Sequence, residues 1–239
     1  MFEKSARLYD ALYSFKDYRQ ESLAISNLIR EECPAAKTIL DIACGTAEHD
    51  RYLAQDFQVD GLDISPDFIA IARTKNPAGA YAVADMTDFS LERRYDVILC
   101  LFSSIGYVRT IEKVEKSLQC MAAHLNDYGV LLLEPWLTPA NWITDGKIYM
   151  LTAETDDEKI CRMSVSRRKG SLSIIEFHYL AGSIGEIESF LEQHELGLFT
   201  HEEMMDAFAH AGLAAEYDPN GLTGRGQYIA RKSATLGRN

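Results

Sequence analysis

The sequence has little positive charge, no long apolar run and no closely spaced pair of cysteines. Its 239 residues carry 24 Lys and Arg against 36 Asp and Glu, a formal net charge of −12 at pH 7. A nucleic-acid binder needs a basic surface that displaces counterions from phosphates, so this balance argues against one. No apolar run approaches the ~20 residues that span a bilayer, so no membrane segment is expected. An anionic small molecule is not excluded, because a few arginines can bind one locally.

The cysteine pattern argues against a disulfide framework and against a cysteine-bound metal site. There are five, an odd number, without CxxC or Cys/His spacing. This pattern is typical of reduced structural thiols, and it predicts neither a disulfide framework nor a metal site. The first residues lack the basic stretch and apolar run of a secretory signal, so we expect a cytoplasmic protein.

Apolar runs alternate with helical patterns over the first part of the chain. Because the runs are continuously apolar, they predict parallel strands covered on both faces by helices. The fold class expected is therefore α/β, with a doubly wound, Rossmann-like, mostly parallel sheet. The predicted strands are residues 38–45, 58–65, 80–85, 94–102 and 129–136.

The pattern changes after Trp136. Four β-rich runs separated by charged or Gly-Ser turns predict an antiparallel sheet inserted into the doubly wound core. The runs are residues 147–154, 159–168, 171–182 and 186–199. A helix with a capping box at Thr200 and Glu203 follows, and two strands close the chain. We therefore expect a core unit (1–136), an inserted sheet (137–198) and a return to the core (199–239).

Three features follow the first three strands, at the edge of an open α/β sheet where ligands bind. Gly45 allows the backbone to approach a ligand closely. Asp63 can accept hydrogen bonds from a ribose diol, and Asp85 can accept one from an adenine amine beside the soft apolar Met86. Alone, each has an ordinary explanation as a turn residue. A single glycine is not G-x-G-x-x-G, and no GK[ST] follows it, so neither a dinucleotide fingerprint nor a P-loop is present.

In order, these features resemble the S-adenosylmethionine site of class I methyltransferases. Nearly the whole chain, moreover, is similar to the sugar-nucleotide amine N,N-dimethyltransferases of the desosamine and mycaminose type. The motifs that carry this resemblance are Cys44-Gly45-Thr46, Asp85-Met86, the run FSSIGY at 102–107, Glu134-Pro135-Trp136 and Gly224-Arg225-Gly226. The resemblance implies S-adenosylmethionine as cofactor, a small-molecule amine as acceptor, an amino-deoxysugar nucleotide as that acceptor, and a homodimer.

The expected site residues fall into three groups. Two tyrosines, Tyr107 and Tyr13, are expected to orient the acceptor amine. The expected cofactor-binding residues are Tyr18, Asp41, Ala43, Gly45, Thr46, His49, Asp63, Ile64, Asp85, Met86 and Leu101. The expected acceptor-binding residues are Phe102, Ser104, Trp136, Glu176, His178 and Arg225.

Specific reasons underlie the expectations for Arg225, for the pair Glu176 and His178, and for His49. By resemblance, Arg225 contacts the pyrophosphate of the acceptor, and its flanking glycines let the guanidinium fork approach a phosphate. Glu176 and His178 lie two apart and share one face of a strand, where they either line the acceptor pocket or hold the inserted sheet. His49 either meets the carboxylate end of the cofactor or lies on a helix surface.

One departure from the family pattern is visible. Ala47 stands in CGTAEH where the pattern has glycine. Alanine tolerates the right-handed start of a helix, so we expect binding to survive, whereas a positive φ at this position would cost about 1 kcal/mol. The predicted reaction is an in-line SN2 transfer, in which the amine needs only its lone pair and the thioether leaves without an acid. Alternatives are N- or O-methylation of another small metabolite without a nucleotide, and non-catalytic binding of S-adenosylmethionine.

Overall fold

The computed structural model describes residues 4–143, 148–222 and 224–233. The strands are β1 Thr38–Ile42, β2 Gln58–Asp63, β3 Tyr81–Val83, β4 Tyr95–Cys100, β5 Leu125–Leu133, β6 Tyr149–Glu154, β7 Glu158–Lys169, β8 Leu172–Ser183, β9 Glu186–Gly197, β10 Leu213–Asp218 and β11 Gln227–Lys232. The helices are α1 Tyr9–Leu12, α2 Tyr18–Glu32, α3 Asp50–Leu53, α4 Pro66–Lys75, α5 Ile111–His124 and α6 His201–His210.

Seven strands form the central sheet in the order β10-β11-β5-β4-β1-β2-β3. Strands β1 to β5 run parallel, and β11 joins β5 antiparallel. The predicted doubly wound, mostly parallel sheet is confirmed. The chain changes winding direction between the neighbouring strands β1 and β4, and a crevice opens at the carboxyl ends of the strands at such a point.

Both faces of the sheet are buried, which explains why its strands read as continuous apolar runs. On one face, Ile25 and Ile29 of α2 pack against Ile39 and Leu99. On the other face, the apolar stripes of α5 and α6 pack against the same strands, with Phe208 fully buried among them.

Side-chain caps mark the start of two helices, and the capping box predicted at Thr200 is confirmed. The Ser65 hydroxyl accepts a hydrogen bond from the Phe68 N–H at 3.3 Å, and Pro66 occupies the first turn of α4. At α6 the Thr200 hydroxyl accepts from the Glu203 N–H at 3.1 Å, and the Glu203 carboxylate accepts from the Thr200 N–H at 2.7 Å. These caps fix how each helix leaves the sheet.

A second sheet lies between β5 and α6 in the chain. Its order is β6-β7-β8-β9, and every pair is antiparallel, so the predicted inserted sheet is confirmed. Lys147, the first residue of the predicted run 147–154, lies outside the described residues.

Residues 4–13 join the second sheet to the cavity described below. Leu8 and Leu12 pack with Ile160 and Tyr179 of the second sheet. Arg7 adds ion pairs to two glutamates of the same sheet, Glu158 and Glu188. Within the described ranges, no helix is long and apolar enough to cross a membrane.

Candidate active site

A cavity of ≈ 920 Å³ lies at the carboxyl ends of the parallel strands. The loops after β1, β2, β3 and β4 form one wall, the second sheet forms another, and residues 9–16 contribute to a third. Its volume is near the top of the range for small-molecule sites, so it has room for a cofactor and a second ligand.

Asp63 and Gly45 form the part of the wall that follows β1 and β2, close to where the chain changes winding direction. Asp63 is 7% exposed, and its two carboxylate oxygens accept backbone N–H bonds from Gly45 at 3.0 Å and from Ser65 at 2.8 Å. Burial raises the pKa of Asp63, although these N–H groups oppose the shift. Each oxygen keeps a lone pair for a ligand hydroxyl. Gly45 has φ +56°, and a Cβ added there would meet no atom within 4 Å, so the loop opens onto free space.

Asp85 and Met86 line the same wall after β3. One oxygen of Asp85 accepts from both the backbone N–H and the hydroxyl of Thr87, each at 2.8 Å. This turn holds the carboxylate in place. With Asp63, the site thus presents acceptors for a diol and an amine beside the apolar Met86, a donor and acceptor set that fits S-adenosylmethionine.

Further predicted residues line the cavity through strained loops. Ala43, Ile64, Phe102 and Ser104 all contribute to its surface. Ala43 has φ 59° and Phe102 has φ 51°, conformations that cost non-glycine residues of order 1–3 kcal/mol. Such strain clusters where a loop must present its backbone to a ligand.

Tyr18, His49 and Thr46 do not line the cavity. The His49 Nε2 lies 2.9 Å from a Glu21 carboxylate oxygen, and the rings of Tyr18 and His49 lie 4.9 Å apart. Glu21 itself reaches the cavity, as does Lys16, which pairs with it at 3.2 Å. The Thr46 hydroxyl donates to Asp10 at 2.6 Å and so holds the early segment over the first loop.

Asp41 and Leu101 lie behind the cavity wall. Asp41 is 3% exposed, and burial together with the neighbouring Asp50 raises its pKa well above the usual value. The Leu101 carbonyl accepts from the Ser104 hydroxyl at 2.8 Å and shapes the loop after β4. Both residues support the site without facing it.

Tyr13 and Tyr107 come together at the other end of the cavity, beside the second sheet. The Tyr13 hydroxyl accepts from Nη1 of Arg162 at 3.1 Å, and the Tyr107 hydroxyl lies 2.9 Å from Nδ1 of His194. Burial raises the pKa of Tyr107 further above neutrality, so its phenol stays uncharged. It can orient a ligand, and it is a poor base.

Sequence reasoning missed Arg162 and His194, which both line the cavity. The Nε2 of His194 lies 3.5 Å from Glu192, whose carboxylate also accepts from the Ser5 hydroxyl at 2.6 Å. The pKa of Glu192 is lowered to about 2, because bonds from His194 and Ser5 outweigh the effect of burial. The only local signal is that Arg162 shares its face of β7 with the buried Ile160, and His194 shares its face of β9 with the buried Leu196.

Arg225 lies between two rings at the cavity edge. Its guanidinium carbon is 5.4 Å from the centroid of Phe102 and 5.5 Å from that of Trp136, and Nη1 is 3.8 Å from a Glu134 oxygen. Gly226 has φ +85°, and an added Cβ would lie 2.1 Å from the Tyr217 hydroxyl oxygen. The glycine is therefore needed to turn Arg225 towards the cavity.

Glu176 and His178 do share one face of a strand, as expected, but it is the face away from the cavity. Ile175 and Phe177, on the opposite face of β8, are the residues that line the cavity. Glu176 pairs with Arg167, and the His178 side chain is 57% exposed. Alternation in β8 assigns these two residues to one face, and both faces carry apolar residues, so the pattern did not identify the inner one.

Ala47 adopts the second of the two conformations considered for it. It has φ 60°, in the left-handed region, rather than a right-handed helical start. Its methyl group is fully buried in a cluster with Ile69, Ala72 and Tyr81. That packing offsets part of the ~1 kcal/mol that alanine loses in this conformation.

Comparison with known proteins agrees with this geometry. Residues 39–129 match a family model described as a methyltransferase domain. The chain is 41% identical over 233 residues, 96% of this chain and 91% of that protein, to the dTDP-3-amino-3,6-dideoxy-alpha-D-glucopyranose N,N-dimethyltransferase of Streptomyces fradiae.

Two solved structures have the same fold over nearly the whole chain. DesVI of Streptomyces venezuelae has a TM-score of 0.90 at 33% identity, covering 96% of this chain and 99% of that one. The amino pentose methyltransferase CalS10 of Micromonospora echinaspora, with bound S-adenosylmethionine, has a TM-score of 0.84 at 33% identity, covering 95% and 97%. This chain belongs to the family of the dTDP-aminosugar N,N-dimethyltransferases and is an S-adenosylmethionine-dependent methyltransferase.

Proposed function

We propose that this enzyme transfers methyl groups from S-adenosylmethionine to the amine of an amino-deoxysugar nucleotide. The observation that carries the proposal is a single cavity with two chemically different ends. Asp63 and Asp85 lie at one end, while Arg225 and the two tyrosines Tyr13 and Tyr107 lie at the other.

A continuous row of aromatic side chains joins the two ends. The Phe68 and Tyr9 rings lie 5.1 Å apart, Tyr9 and Tyr13 lie 4.6 Å apart, and Tyr13 and Phe102 lie 5.6 Å apart. Arg225 continues the row over Phe102. Such a wall excludes water and holds flat or apolar ligand groups, so it favours in-line alignment of an amine with a sulfonium methyl.

The residues have distinct proposed roles. Asp63 binds the ribose diol and Asp85 the adenine amine of the cofactor, which supplies the methyl group when bound. Tyr13 and Tyr107 orient the acceptor amine. Arg225 binds a phosphate of the acceptor, because a guanidinium fork on two rings suits an anion that enters an otherwise acidic protein.

The proposed acceptor class is tested with dTDP-3-amino-3,6-dideoxy-α-D-glucopyranose and with the same amino sugar lacking the nucleotide. Methylated products are measured by mass spectrometry, and we expect turnover of the nucleotide sugar alone. Arg225→Ala should raise KM for this acceptor about 30-fold, which corresponds to ~2 kcal/mol for a lost charged hydrogen bond.

Arg94→Ala provides the matched control, since Arg94 is an exposed arginine at the start of β4, outside the cavity lining. It should leave KM unchanged. Equal KM values for Arg225→Ala and the wild type, or faster turnover of a nucleotide-free amine, would refute the nucleotide-sugar assignment.

The same proposal assigns different roles to different segments of the chain. Residues 1–136 and 199–239 form the cofactor-binding core with its lid segment, and residues 137–198 form the acceptor side. The position of Ile175, Phe177 and His194 on the cavity wall supports this assignment. We further propose a cytoplasmic homodimer.

A further inference from the structure

Arg162 is a buried cation at the acceptor end of the cavity. Its side chain lines the cavity, and the residue is only 7% exposed. Its guanidinium carbon lies 4.4 Å from the centroid of the Phe177 ring and 5.2 Å from that of Tyr13. Its Nη1 donates to the Tyr13 hydroxyl at 3.1 Å.

No carboxylate among the described residues forms an ion pair with Arg162, and its Nε has no hydrogen-bond acceptor there. A buried charge without a counter-ion is costly, and aromatic rings offset only part of that cost. The pKa of Arg162 nevertheless lies above its usual value: burial opposes the charge, while Tyr13 and Tyr179 favour it. The guanidinium is therefore charged at any pH at which the enzyme is assayed.

Among the described residues, none of the groups around Arg162 forms an ion pair with it. Tyr179 faces it from β8, and Tyr107 lies nearby with a phenol that burial keeps neutral. The acid Glu192 on β9 accepts the N–H groups of Lys4 and Ser5 and the Ser5 hydroxyl.

His194 is the other titratable group on β9 near Tyr107. Its Nδ1 lies 2.9 Å from the Tyr107 hydroxyl, and its Nε2 lies 3.5 Å from Glu192. Glu192 is therefore directed at His194 and at the early segment. The Arg162 guanidinium, by contrast, contacts Tyr13 directly and lies beside the space between Tyr13 and Tyr107.

An amine placed in that space must be uncharged to attack. An aliphatic amine with a pKa like that of lysine, ~10.4, is mostly an ammonium ion at neutral pH. A like charge in a poorly solvated site disfavours the ammonium form. A methyl donor with a sulfonium group adds a second positive charge on the other side.

We propose that the Arg162 guanidinium holds the bound acceptor amine in its neutral, nucleophilic form, so that methyl transfer requires no dedicated base. The ammonium first releases its proton to water. The nitrogen lone pair then forms the new C–N bond, while the electron pair of the S–C bond goes to sulfur. The methylammonium product again releases a proton to water before a second transfer. This inference rests on the proposed amine acceptor.

The test is the pH dependence of the single-turnover rate constant at saturating acceptor, from pH 6 to 10. With dTDP-3-amino-3,6-dideoxy-α-D-glucopyranose as acceptor, its acidic limb reports the pKa of the bound amine. In the wild type, this limb should lie at least ~1 pH unit below the pKa of the free amine, which NMR titration gives. If the acidic limb of the wild type lies at or above the pKa of the free amine, the proposal is overturned, and no variant is needed to show it.

Arg162→Gln should move the acidic limb up by about 1 to 2 pH units. Its rate should fall about 10- to 100-fold at pH 7 and return to within ~3-fold of the wild type at pH 9.5. Arg162→Lys keeps a positive charge and should keep the wild-type limb. Calorimetric binding of S-adenosylmethionine checks that each variant is folded.

The failures are distinguishable. A rate loss in Arg162→Gln that is the same at every pH indicates a structural role and refutes the proposal. A higher KM with an unshifted limb indicates that Arg162 binds an anionic group of the acceptor, and refutes it equally. No methylation of any amine by the wild type refutes the proposed function itself, and this inference with it.

Discussion

Replacement of Asp50 by asparagine should stabilise the protein at alkaline pH and not at acidic pH. Asp50 is fully buried beneath the loop after β1, and its Oδ2 accepts from the Tyr81 hydroxyl at 2.8 Å. Oδ1 of Asp50 and Oδ1 of Asp41 are both buried and have no hydrogen-bond donor among the described residues. We predict that the two carboxylates share a proton, which would give each of these oxygens a partner.

The magnitude follows from the pKa of Asp50. Burial raises it to about 6, against the opposing hydrogen bonds from Asp41 and Tyr81. The unfolded chain has a value near ~3.9. Between these values the folded state binds more protons than the unfolded state, so stability falls as pH rises. The loss reaches about 3 kcal/mol above pH 6, and about 2 kcal/mol of it develops between pH 4.5 and pH 8.

An asparagine in place of Asp50 can keep both contacts. Its amide oxygen can accept from Tyr81 and its NH₂ group can donate to Asp41, without a second buried charge. Urea denaturation at several pH values should show Asp50→Asn gaining on the wild type by about 2 kcal/mol between pH 4.5 and pH 8. Asp156→Asn makes the same chemical change in an exposed hairpin turn and should show no such gain.

A difference in stability between Asp50→Asn and the wild type that stays constant with pH would refute the raised pKa of Asp50. A loss of stability in Asp50→Asn at pH 8 would show that the two carboxylates have partners other than each other.

Two further predictions concern the site itself. Asp63→Ala should weaken S-adenosylmethionine binding at least ~10-fold in calorimetry, because hydrogen bonds to a buried carboxylate are lost. Asp67→Ala, at an exposed position on α4, is the control. Wild-type affinity in Asp63→Ala would contradict the ribose assignment. Tyr107→Phe should lower kcat by no more than ~10-fold at pH 7.5, because a buried neutral phenol orients the amine and takes no proton. A loss of kcat beyond ~10⁴-fold would identify an essential base instead.

Local patterns predicted most of the architecture. The apolar run at 38–42 corresponds to a strand buried on both faces, and the capping box at Thr200 marks a real helix start. These features depend on neighbours within a few residues, which is why the sequence alone shows them. The positions of Gly45 and Asp63 at strand ends follow from the same parallel topology.

What could not be predicted depends on distant parts of the chain. Arg162 reaches the cavity because β7 packs beneath residues 8–12, and its alternation with Ile160 does not show which element covers that face. Alternation placed Glu176 and His178 on one face, yet only tertiary packing decides which face is inner. The left-handed Ala47 is set by its burial in the cluster with Tyr81, not by its own preference.

The anchoring of the early segment on the second sheet has a consequence for the order of folding. Ser5 and Glu192 are 187 residues apart, and their hydrogen bonds place Tyr9 and Tyr13 over the cavity. During synthesis, residues 4–13 emerge long before β9 exists to receive them. Contacts of such long range form late, because the loop they close costs entropy before the contact is gained. Residues 4–13 are thus made early and reach their place late, so the site closes only after the second sheet is complete.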